Sequence, residues 1–158
     1  MARIDKKTLW LVTAAAAALV LLLQFCPGTR SPNTLTLKTS AGVMTIDVVD
    51  SPERRVFALG MLTRFPPGRG LWVVFEDTER PSLWSKTLQV EADLLWLDET
   101  RQIVDRDLRV QPCPQAPCPD YTPDRGAVSV LLLPPGTAGD ATLAVGQTAF
   151  LRPPGTGS

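Results

Sequence analysis

Apolar residues follow three different rhythms along this chain, and each rhythm predicts a different element. Residues 8–26, TLWLVTAAAAALVLLLQFC, carry no charge and are apolar all round. At a rise of about 1.5 Å per residue such a helix nearly crosses a hydrocarbon core of about 30 Å, and it exceeds the roughly 7–15 residues of a signal-peptide core. The second rhythm begins at residue 34. In TLTLKT, Leu35 and Leu37 alternate with threonine and lysine; a Ser40-Ala41-Gly42 turn follows, and Met44, Ile46 and Val48 then share a face, which predicts a hairpin. The third is helical. In DSPERRVFALGML, Asp50 or Ser51 can cap, Pro52 suits the first turn, Glu53 meets the positive end of the dipole, and Val56, Leu59 and Leu62 fall on one side. The FPPGRG stretch stops that helix.

From Gly70 the pattern is all strand. Residues 71–75 (LWVVF), 83–88 (LWSKTL), 93–97 (DLLWL), 103–110 (IVDRDLRV), 127–133 (AVSVLLL) and 147–152 (QTAFLR) are expected strands. In 103–110, Val104, Leu108 and Val110 are assigned one face and Asp105, Asp107 and Arg109 the other, as in a sheet with one wet side. Many short strands and one helix predict an all-β domain, a jelly-roll-like β-sandwich or partly closed barrel, preceded by one N-terminal transmembrane helix.

The domain plan follows. Residues 1–7 form a basic head, 8–26 a transmembrane signal-anchor, 27–33 a tether, 34–152 the β domain and 153–158 a tail expected to be disordered. Arg3, Lys6 and Lys7 precede the apolar run, so the positive-inside rule holds them in the cytoplasm and exports the rest. No A-x-A pattern follows the run, which favours a retained anchor over secretion after cleavage. Phe25 stands where a lipoprotein signal needs a small residue, which disfavours lipid attachment at Cys26.

Composition narrows the chemistry. There are 16 basic and 16 acidic residues and no basic stripe, which argues against nucleic acid as partner. With no histidine, Ser-His-Asp and Cys-His catalysis and His-ligated metals are excluded. Fifteen prolines, near twice the usual share of about 5%, point to short elements and stiff turns.

Cys113 and Cys118 lie in the proline-rich QPCPQAPCPDY. An exported compartment favours a structural disulfide there; a free thiol pair and a metal site are the alternatives, the latter short of two ligands. No metal and no cofactor is expected. Glu76, Asp77 and Glu79 lack calcium-loop spacing and read as a solvated loop, and Asp124 and Arg125 as turn residues. A Ser85–Lys86 dyad is excluded if the stretch is extended, because strand neighbours point to opposite faces.

The order of motifs from Leu35 to Leu151 resembles the family called domain of unknown function 192. The matching stretches are Gly60-Met61-Leu62-Thr63-Arg64, Gly70-Leu71-Trp72-Val73-Val74-Phe75, Leu83-Trp84-Ser85-Lys86-Thr87-Leu88, Glu91-Ala92-Asp93 running into Leu94-Leu95-Trp96-Leu97-Asp98, and Val130-Leu131-Leu132-Leu133-Pro134-Pro135-Gly136. Cys118-Pro119-Asp120-Tyr121 matches a further loop. The resemblance implies a compact, mostly-β, often exported domain with no agreed activity. Ser85, Thr87, Leu88 and Leu132 depart from its polar pattern, while Arg64, Lys86 and Asp93 survive.

Two readings of those survivors stand side by side. They form a charged pocket for an anionic or polyhydroxyl ligand, or a cluster that fixes the helix to the sheet. Trp72, Trp84 and Trp96 invite a glycan-platform reading but are more often packing. The candidate ligand residues are therefore Arg64, Lys86, Asp93 and Trp84. The leading functional expectation is an anchored extracytoplasmic binding or accessory module of the cell envelope, taking a glycan or small polar ligand. The rival is an envelope hydrolase with Asp93 as base and Lys86 or Arg64 stabilising the anion.

Overall fold

The structure, a computed structural model, describes residues 34–75 and 81–155. The basic head, the expected transmembrane run, the tether, the loop with Glu76, Asp77 and Glu79, and residues 156–158 lie outside the described residues. Among those described, no helix is long and apolar enough to cross a membrane.

The chain is mainly β with one α-helix. In order come β1 (Thr34–Thr39), β2 (Gly42–Val49), α1 (Pro52–Met61), β3 (Arg69–Val74), β4 (Leu83–Trp84), β5 (Ala92–Leu97), β6 (Ile103–Val110), β7 (Asp120–Tyr121), β8 (Ser129–Leu133) and β9 (Leu151–Arg152). Seven strands make one mixed sheet in the order β6-β5-β8-β3-β2-β1-β9, and β4 pairs with β7 apart from it. The predicted hairpin forms, with Leu35 opposite Ile46 and Leu37 opposite Met44. β2 and β3 are parallel. Parallel neighbours cannot be joined by a tight turn, and α1 is the crossover that joins them.

This architecture corrects the expected jelly-roll sandwich or barrel. Apolar packing lies on both faces of a single sheet rather than between two sheets. Val49, Leu71, Val73, Leu94, Trp96, Val130 and Leu132 pack on one face with Leu59 of α1. Leu37, Ile46, Leu95, Leu97, Leu131 and Leu133 pack on the other, under Ala138, Leu143, Ala149 and Leu151. Central strands covered on both sides are apolar at nearly every position, and the fully buried β5 and β8 depart from this only at Asp93 and Ser129. The sheet does not close into a barrel. One isolated bridge, Gln102 to Thr148, links the start of β6 to the segment before β9.

Gly70 is forced by the β2–β3–β8 approach. A Cβ there would meet Leu133 Cδ2 at 2.7 Å, Ile46 Cδ1 at 2.9 Å and the Leu132 carbonyl oxygen at 2.9 Å. Backbone cannot yield as a side-chain tip can, so only glycine fits.

Local expectations divide between right and wrong. Ser51 is the cap, its Oγ accepting from Arg54 N at 3.4 Å, while Asp50 instead pairs with the Arg54 guanidinium at 2.8 Å. Leu59 is buried as expected, but Val56 points outward at 76% exposure. Leu108 is also exposed rather than inward. A bulge explains it: Ala92 faces Val110 and Leu94 faces Asp107, so β6 spends an extra residue and loses its alternation, with Arg109 at φ 55°. Residues 83–88 are extended only over Leu83–Trp84, because Ser85–Thr87 form a 3₁₀ turn. The last expected strand shrinks to Leu151–Arg152.

Candidate functional site

The cysteine loop backs the segment that forms one wall of the site. Cys113 and Cys118 are joined through their sulfurs with Cα atoms 5.6 Å apart, within the range a disulfide requires. Their loop runs into β7, which pairs Tyr121 with Leu83 and Asp120 with Trp84. Ser85 fastens the same contact twice, its backbone N–H and its hydroxyl both donating to the Pro119 carbonyl at 3.0 and 2.8 Å. The clip therefore holds the strand end from which Trp84 projects. The extended geometry assumed for Ser85 and Lys86 does not apply, yet the buried Ser85 hydroxyl is committed to Pro119 while Lys86 Nζ lies 5.3 Å over the Trp84 ring.

The opposite wall is α1. A cleft of about 360 Å³ lies between the helix and residues 82–89, lined by Arg55, Val56, Leu59, Gly60, Phe75, Ser82, Leu83, Trp84, Thr87 and Gln89. Trp84 is 45% exposed, unusually open for a large aromatic. Arg55 stands 4.5 Å over the Phe75 ring and donates through Nη2 to the Val74 carbonyl at 3.1 Å, and its Nε is buried with no acceptor. Gly60 matters as well. A Cβ there would meet nothing within 4 Å, and its φ is not in the left-handed range. Glycine inside a helix costs about 0.5–1 kcal/mol against alanine, so here it leaves room along the cleft without any packing need inside the fold.

On the other flank of α1 runs a groove of about 610 Å³, among whose lining residues are Asp47, Phe57, Met61, Phe65 and Arg69. Its rim carries the Arg69–Asp47 pair, in which Nε donates at 3.2 Å. Between cleft and groove, the outward ridge of the helix shows Val56, Phe57 and Met61 at 76, 69 and 66% exposure. The arginines do the reverse: Arg54 Nη2 donates to the Val48 carbonyl at 3.0 Å and Arg55 reaches that of Val74. These guanidinium groups face the ends of β2 and β3, and apolar surface faces water.

The four sequence-predicted ligand residues do not converge. Trp84 and Lys86 meet each other. Arg64 is exposed beyond the end of α1 with no ion pair among the described residues. Asp93 is 1% exposed, and its two oxygens accept from the backbone N–H groups of Arg109 and Ala138, each at 2.9 Å. Its carboxylate ties the β6 bulge to the 3₁₀ turn Thr137–Gly139. A carboxylate spent in this way is badly placed to take a proton from a substrate in the Trp84 cleft. Sequence reasoning passed over Arg55, Phe75 and Gln89; the available signal was that residues 56–59, 61 and 62 carry more apolar side chains than one helix face can bury.

Burial pushes Asp107 above the ordinary range against the opposing effect of a 2.8 Å hydrogen bond from Trp96 Nε1, and Asp105 and Asp124 push it up further. Among the described residues no group of three potential metal ligands comes together.

A family described as "Uncharacterized ACR", domain of unknown function 192, matches residues 34–150. The chain belongs to that family. Among curated protein sequences, none matches it. Two solved structures share the fold of this family member. One is a Sinorhizobium meliloti 1021 protein provisionally described as a transcription regulator, 21% identical with a TM-score of 0.57, covering 75% of this chain and 91% of its own. The other is a Novosphingobium aromaticivorans DSM 12444 protein of unknown function, 13% identical with a TM-score of 0.56, covering 75% and 81%. Identities this low show the fold alone. Within it, two residues at family-motif positions in this member have structural duties: Gly70 lets three strands approach, and Asp93 ties two loops.

Proposed function

We propose that this chain is a binding module of the cell envelope, anchored in the membrane by residues 8–26, with its β domain on the extracytoplasmic side. Its ligand site is the cleft between α1 and Trp84, and the ligand class is a polyhydroxyl compound such as an acidic envelope glycan. One observation carries the reading: a half-open tryptophan, held by a disulfide-clipped loop, faces a helix across a cleft that also offers Arg55, Thr87 and Gln89. An aromatic face takes the apolar side of a sugar ring, and the flanking polar groups take its hydroxyls. The ammonium of Lys86 and the guanidinium of Arg55 favour an acidic sugar over a neutral one.

Tryptophan fluorescence titration with acidic and neutral oligosaccharides tests the site. Trp84→Ala should weaken binding of the acidic ligand about tenfold or more, roughly the 1.4 kcal/mol of a decade in affinity, with the thermal midpoint unchanged. Equal affinity in wild type and variant, or no saturable binding to any glycan, removes it. A reporter fused after Ser158 tests the topology separately, since activity confined to the cytoplasm ends the export argument.

A further inference from the structure

The outward ridge of α1 is apolar while its arginines turn inward, an inversion that calls for a cover over Val56, Phe57 and Met61. The chain path says which cover. β1 begins at Thr34, directly opposite Asp47, and Asp47 lines the same groove as Phe57 and Met61. The chain thus enters the domain at the end of the sheet where α1 lies. Between the apolar run and Thr34 stand only residues 27–33, a tether that spans at most about 25 Å fully extended. Three residues beyond Met61, the exposed Arg64 has no ion-pair partner among the described residues, leaving a cation just past the end of the helix. Glu53 is the opposing charge on that face, and Arg54 is already paired with Asp50.

We propose that this face of α1 rests on the bilayer interface, with Val56, Phe57 and Met61 among the upper acyl carbons and Arg64 at the phosphates. The inference rests on the membrane-anchoring part of the proposed function and adds an orientation to it. A helix lying in the interface buries its apolar side chains about 5–10 Å into the headgroup and acyl boundary. The Trp84 cleft, sharing Val56 with the ridge, then opens beside the headgroups.

The test uses the full chain in phosphatidylcholine–phosphatidylglycerol nanodiscs, with Cys26→Ser and the native disulfide retained. A single environment-sensitive fluorophore is placed at Met61→Cys or, as control, at Val43→Cys. Val43 is 68% exposed beside the β1–β2 turn, at the other end of the strand that starts at Thr34. The label at position 61 should shift to the blue and be quenched by doxyl lipids at least about twofold more than the label at 43, because only the former lies within the ~5–10 Å interfacial layer. Phe57→Glu should return it to the control value. Equal quenching at 61 and 43, in protein that stays with the nanodiscs, overturns the orientation while leaving the anchor intact. A blue shift without lipid quenching means that protein covers the ridge, and likewise overturns it. Failure of the chain to stay with nanodiscs at all removes both the anchor and this inference.

Discussion

On one face of the main sheet, the segment from Thr137 to Leu151 tucks Ala138, Leu143, Ala149 and Leu151 into the core and leaves none of them more than 4% exposed. On the other, α1 buries only Leu59 fully and turns Val56, Phe57 and Met61 to solvent. Both covers lie on equally apolar strands, so the sheet does not explain the difference. The arginines do: Arg54 and Arg55 use their long stems to reach carbonyls of Val48 and Val74, which fixes the helix with its remaining apolar side outward. Val145 and Phe150 of the first cover are 47 and 59% exposed, so the difference is one of degree, and the α1 cover leaves the larger apolar surface over.

The largest test of this contrast is at Asp93, on the closed side. Asp93→Ala strips the acceptor from two backbone N–H groups, those of Arg109 and Ala138. At about 1–3 kcal/mol for each stranded donor, a loss of roughly 2–6 kcal/mol is expected in urea denaturation. A loss below about 1 kcal/mol would mean that the knot is not structural, and the hydrolase reading of Asp93 would regain its footing.

Asp93 also shows where reading the chain stops. Its burial among apolar neighbours was legible, since DLLWL is a continuous run, but its partners were not. Those partners are backbone groups: one belongs to a bulge that breaks strand alternation, the other to a 3₁₀ turn after Pro134-Pro135-Gly136. Neither leaves a side-chain signature. The hairpin, the helix start, the β6 limits and the cysteine pair were readable because each is set by nearby residues. The sheet order was not, since it depends on which distant strands find one another. Trp84 was singled out over Trp96 in the sequence, but the reason it is open while Trp96 is fully buried was not legible: β4 pairs with β7 outside the main sheet.

Next in size is a paired measurement on α1 itself. Leu59→Ala empties a buried site and should cost about 2–5 kcal/mol, whereas Phe57→Ala, two residues away and 69% exposed, should change stability by less than about 0.5 kcal/mol. The comparison fails if Phe57→Ala is as costly as Leu59→Ala in the full chain, because Phe57 would then be part of the core.

The smallest effect concerns Asp107, on the edge strand β6 beside Trp96 of the α1 face. Its raised pKa means that the folded state prefers the protonated acid, so its contribution to stability is fully present below 3.8 and is lost as pH rises through the folded value. Asp140 works in the opposite sense: hydrogen bonds from Ser40 and Thr142 depress it to about 2, so its contribution is present above 3.8 and lost as pH falls toward 2. The two windows do not overlap, which allows Asp107 to be isolated. Asp107→Asn keeps an acceptor for the Trp96 indole and discards the charge beside Asp105 and Asp124. Thermal midpoints of wild type and variant should coincide near pH 3.5 and diverge above it, the variant ahead at pH 7 by about a few tenths of a kcal/mol for a carboxylate this accessible to solvent. Asp107→Ala should do the reverse, stranding the indole N–H of a fully buried tryptophan at a cost of about 1–3 kcal/mol. If asparagine proved as harmful as alanine at neutral pH, the charge itself would be what Trp96 requires, and burial would not be the force that perturbs this carboxylate.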